Sequence, residues 1–161
     1  MSDKRGEIRE KSIEILKSHG YTVDASYEGT GHVRIYREEQ NGDKFALAKV
    51  DIVGLKKGTI QVVVAIEEDD TPKTILGNVA VVDMANACLT RALGSDKSMV
   101  PLNGVVLFIV TPVRKEAAKE RALIAMLRDS YNFMEGNLRD FIVTDVDAFE
   151  NELRELELYT V

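Results

Sequence analysis

Residues 45–78 read FALAKVDIVGLKKGTIQVVVAIEEDDTPKTILGN, and their reading decides the fold. A strand over Phe45–Val53 carries Asp51 near its end. Gly54–Gly58 turns the chain, and Thr59–Glu67 forms a second strand whose near-continuous Val/Ile content marks it as central, covered on both faces. The acidic loop Glu68-Asp69-Asp70 then leads into a helix. Thr71 suits its N-cap and Pro72 its first turn. Two carboxylates, Asp51 and Glu67, thus stand at the ends of neighbouring strands.

Working outward, residues 3–19 are expected as a helix with Ile8, Ile15 and Leu16 on one face and Gly20 as its C-terminal cap. A short strand falls at Tyr21–Ala25, followed by the turn Glu28–Gly31. His32–Glu38 is a strand, and Asn41-Gly42 is the hairpin turn joining it to Phe45–Val53. After the central strand, a helix is expected from Thr71 to about Leu93. Gly104–Thr111 (GVVLFIVT) is a further buried strand, and Lys115–Phe133 a helix. Phe141–Val143 is a short strand and Asp145–Leu158 a final amphipathic helix. The strands joined by tight turns must pair antiparallel, whereas those separated by helices join in parallel. The expected fold is a single α/β domain over residues 1–161: a mixed sheet, a three-strand antiparallel meander plus parallel strands, with helices on both faces.

The totals narrow the function. The chain has 161 residues, 45% of them apolar, a formal charge of −6 and a pI near 5.0. That balance argues against a broad, non-specific nucleic-acid surface but leaves room for a local basic patch. No apolar run approaches the roughly 20 residues that span a bilayer. The single cysteine, Cys88, and the charged N-terminus point to a reducing cytoplasm, and with two histidines a structural zinc site is not expected.

The element order, with an acid on the second strand and another on the third, resembles the PD-(D/E)XK nuclease superfamily, whose fold is the restriction endonuclease-like one. The resemblance covers about two thirds of the chain, from the first helix through Gly104–Thr111. It implies a hydrolase that cuts phosphodiester bonds of DNA or RNA with Mg²⁺ or Mn²⁺. Hard oxygen ligands hold the ion, the ion polarises the phosphate, and a lysine two residues past the second acid assists the attacking water. Asp51 fits the first acid, with Val50 where the motif has proline. Two registers fit the third strand. Either Ala65 takes the acid position and Glu67 the lysine position, or Glu67 is the acid and Asp69 replaces the lysine. The second is the reading taken for metal binding, with Asp51, Glu67 and Asp69 as ligands. Lys73, at the start of the following helix, is the candidate substitute for the lysine.

Each candidate has a plainer reading. Acids at strand ends are commonly solvated charges. Glu10 and Glu14 are candidate extra ligands or surface charges, and Asp83 with Asn86 would share a helix face at a cleft, a helix contact or a subunit interface. Arg34, Arg37, Lys49, Lys56 and Lys57 flank the hairpins as candidate phosphate contacts or as edge-strand charges. His19 reads as a cap residue, His32 as an exposed strand residue and Cys88 as packing. Three functions remain open: a metal-dependent nuclease, an inactive module of the same fold that binds nucleic acid or protein, and an interaction protein that never touches nucleic acid. The resemblance also suggests a homodimer, through the Asp145–Leu158 helix or the Asp83 helix.

Overall fold

The computed structural model describes residues 2–27, 32–68, 71–94, 96–112, 118–131 and 136–158, with the backbone alone at 2, 3 and 118–121. The elements are α1 (Ser2–Ser18), β1 (Thr22–Ala25), β2 (Val33–Glu38), β3 (Lys44–Val50), β4 (Ile52–Lys56) and β5 (Thr59–Ile66). These are followed by α2 (Pro72–Met84), β6 (Ala87–Thr90), β7 (Ser98–Thr111), α3 (Ala118–Ser130), β8 (Leu138–Asp145) and α4 (Phe149–Leu158). Among the described residues the strands form one mixed sheet in the order β1-β4-β5-β7-β6-β2-β3, with β8 on β7.

The sheet has two halves joined through β7. Ser98–Pro101 pairs antiparallel with β6, whereas the stretch from Leu102 onward pairs in parallel with β5, and from Val105 with β8. Gly104, at φ +67°, a conformation that favours glycine, sits where the parallel pairing with β5 shifts register between Leu102 and Val106.

The expected strand Phe45–Val53 is two strands broken at Asp51. Its first part pairs with β2, and its second with β1 and β5. The meander steps are antiparallel as expected, but the β2–β3 hairpin and the β4–β5 hairpin lie in different halves of the sheet. Buried Ser26 pins the branch point. Its hydroxyl donates to the Val50 carbonyl at 2.6 Å and accepts from Val33 N at 2.8 Å, while Ser26 N donates to the Asp51 carbonyl at 2.9 Å.

The helix expected over Thr71–Leu93 stops at Met84. Ala85 is already extended (ψ 142°), and the chain continues as strand β6. Asn86 explains the switch. Its side-chain amide accepts from Glu38 N and donates to Glu38 O, both under 3.0 Å, so it takes the place of a strand partner for β2.

Alternation along β5 divides the core. Val63 and Ala65 face α2 and α3, which contribute Ile75, Val79, Val82 and Ile124. Val62, Val64 and Ile66 face α1 and α4, which contribute Ile8, Leu16, Phe149 and Leu153. Phe149 meets Phe108 edge-on, with ring centroids 5.0 Å apart. Each large side chain so buried stabilises the fold by about 1.5–3 kcal/mol relative to its exposed state. Among the described residues no helix is long and apolar enough to cross a membrane.

Candidate functional site

Asp51, Glu67, Lys49 and Lys73 line one cleft of about 620 Å³, floored by Ile35, Val63, Ala65 and Leu107. The local causes are simple. The break between β3 and β4 puts Asp51 at the branch of the sheet. The β4–β5 pairing ends at Ile52–Val64, and Asp51 just before it reaches the backbone N–H of Ile66. Glu67 follows β5 immediately, on the side-chain alternation of Val63 and Ala65, and its N–H extends the ladder to the Val110 carbonyl at 3.0 Å. Lys73 enters from the first turn of α2, where the Thr71 hydroxyl accepts from Thr74 N.

The Asp51 carboxylate is engaged on both oxygens. Oδ1 accepts from Arg5 Nη2 at 2.9 Å and lies 4.0 Å from Arg9 Nη2. Oδ2 accepts from the backbone N–H of Ile66 at 2.8 Å. Glu67 Oε1 accepts from Asn78 Nδ2 at 3.3 Å, and the same amide donates to the Thr74 carbonyl at 2.8 Å. Sequence reasoning did not find Arg5, Arg9 or Asn78. The available signal was the four-residue spacing of Arg5 and Arg9, which puts both on one face of α1.

The described donors alone do not complete a divalent-cation shell. Mg²⁺ takes hard oxygen ligands in near-octahedral geometry. Here Ala65, in the same lining, offers no donor, and a guanidinium already neutralises Asp51. Among the described residues no three of His, Cys, Asp and Glu are grouped as ligands. Asp69 lies outside the described residues.

The other candidates disperse. Arg34 stands directly across the β2–β3 ladder from Lys49, two like charges side by side. Arg37 lies at the hairpin tip, 3.5 Å from Glu39. Lys56 and Lys57 line a different pocket with Tyr21 and Arg139, and the Lys56 ammonium sits 4.1 Å over the Tyr21 ring. Glu10 and Glu14 are exposed on α1. Asp83 accepts from the Tyr131 hydroxyl and from Leu138 N, so the face expected at a subunit contact is engaged within the fold. His19 bridges Glu157 at 3.0 Å and Glu150 at 3.2 Å, tying α1 to α4. Cys88 is fully buried, and burial, then the Asp24 charge, push its thiol up to about 12.

Comparison with known proteins gives no match to any family model and none to an individual curated sequence.

Proposed function

We propose that this chain is a nucleic-acid-binding module on a restriction endonuclease-like fold, holding a phosphate backbone in the cleft without cutting it. The observation that carries this reading is the Asp51 carboxylate closed off by Arg5 and Ile66 N, while among the described residues Lys49 and Lys73 of the cleft have no ion-pair partner. The path α1–β1–β4–β5–α2–β7 supports the fold assignment: a helix, three antiparallel strands, a helix and a parallel strand, with the β2–β3 hairpin inserted. Phosphates bind to such cations with counterion release, which a net charge of −6 over the whole chain does not prevent.

A second reading, metal-dependent hydrolysis of DNA or RNA, draws on Asp51, Glu67 and Lys73 lining one cleft. It requires Arg5 to release Asp51 and Asp69 to add a ligand. One experiment separates the two. End-labelled DNA and RNA are incubated with the protein and Mg²⁺ or Mn²⁺. Binding with intact strands supports the module, whereas cleavage that disappears in Asp51→Asn replaces it with the nuclease. An absence of binding to either polymer leaves the protein-interaction reading.

A further inference from the structure

We propose that a second pocket, lined by Tyr27, His32, Arg91 and Lys97, takes a terminal phosphate monoester of a nucleic-acid strand. The proposal rests on the nucleic-acid reading of the cleft, with which this pocket shares no lining residue. Its volume of about 230 Å³ is below that of ordinary organic-ligand sites, about 300–1,000 Å³, and suits a small polyatomic anion.

Three observations give the pocket its chemistry. Arg91 and Lys97 are exposed, and among the described residues neither is ion-paired. His32 adds a ring to the wall, and among the described residues its buried Nδ1 atom has no hydrogen-bond partner. Arg34 and Lys49, opposed across β2 and β3, add further positive potential at His32; burial first, then Lys49, Arg34 and Lys97, lower the pKa of its ring. Among the described residues the carboxylate in the lining, Asp24, is already engaged. Its Oδ2 accepts from Thr90 Oγ1 at 2.6 Å and from Arg91 N at 2.9 Å, and its Oδ1 from Ala25 N at 2.9 Å. Asp24 therefore holds the Arg91 backbone at the pocket. A monoester carries about 1.5–2 negative charges near neutral pH, more than a backbone diester, so this cation-rich pocket favours a strand end.

The test measures the full-length chain's affinity, by anisotropy, for internally labelled strands of one sequence ending in a 5′-phosphate, a 3′-phosphate or hydroxyls only. One phosphorylated end is expected to bind about tenfold tighter than hydroxyl ends, the size of one charge-assisted contact. The double variant Arg91→Ala with Lys97→Ala removes that preference, whereas Lys73→Ala weakens all three strands alike. Equal affinity for all three ends in the unmodified chain overturns the proposal. If no strand binds at all, the proposed function fails as well, and an NMR titration with inorganic phosphate decides the pocket by itself. Shifts at Tyr27 and His32 that vanish in the double variant retain it as a phosphate site, and no shift removes it.

Discussion

Arg5 Nη2 donates to Asp51 Oδ1 at 2.9 Å, joining the first turns of α1 to the branch of the sheet across 46 residues of chain. The contact fixes the cleft in two ways. It neutralises the carboxylate that a metal would need, and it orients the other oxygen toward Ile66 N, which locks the end of β5.

Removing Asp51 therefore costs more than removing Arg5. The Asp51 side chain is 15% exposed, and Asp51→Ala leaves Ile66 N without its acceptor and the partly buried Arg9 without a counter-charge. A loss of about 2–3 kcal/mol is expected in urea denaturation. Arg5 is 40% exposed, so Arg5→Ala is expected to cost less than about 1 kcal/mol. Equal losses would contradict the asymmetry.

A methyl group at position 136 would collide with the Asp83 carboxylate, which holds Tyr131 and Leu138 N. Gly136→Ala is expected to destabilise the fold by about 1–3 kcal/mol. Gly6→Ala, in open space on α1, should instead stabilise by about 0.5–1 kcal/mol. Thermal melts of the two variants moving in the same direction would refute this packing.

His19 makes stability depend on pH. Hydrogen bonding to Glu157 raises its pKa above the ordinary 6.5, with Glu150 adding to the effect and burial opposing it. A raised folded-state pKa gives a contribution that is complete below 6.5 and lost as pH climbs through the folded value. The unfolding free energy should fall over that window, and His19→Gln should flatten the fall. A variant with the same pH slope as the parent would show that the α1–α4 tie is not ionic.

Cys88, buried and with its thiol pushed up to about 12, should resist iodoacetamide in the native chain and react fully in denaturant. Rapid labelling of the folded protein at neutral pH would mean that β6 opens locally.

Much of the fold was legible because local signals and tertiary structure agree. The β-branched run at Thr59–Ile66, the Asn41-Gly42 turn, the Thr71-Pro72 start of α2 and the cap at Gly20 (φ +87°) each follow from the chain nearby. The end of α2 was not legible. Val81, Val82 and Met84 are compatible with a longer helix, and only the distant Glu38 backbone, bound by the Asn86 side chain, makes the next residues a strand. The break at Asp51 depends likewise on Ser26, which is remote in sequence. For the site, strand order brought Asp51 and Glu67 together and the family resemblance pointed to Lys73, and the three line one cleft. The guanidinium on Asp51 was not legible, because the spacing of Arg5 and Arg9 names a helix face but not its neighbour.

The central claim is that Lys49 and Lys73 hold phosphates in the cleft. Its most direct test is the slope of log affinity for a DNA or RNA strand against log salt concentration, measured for the parent chain, Lys49→Ala and Lys73→Ala. The account predicts binding that weakens with salt, with each variant's slope shallower by about 1 and its affinity lowered irrespective of sequence. Slopes identical in all three proteins would contradict it.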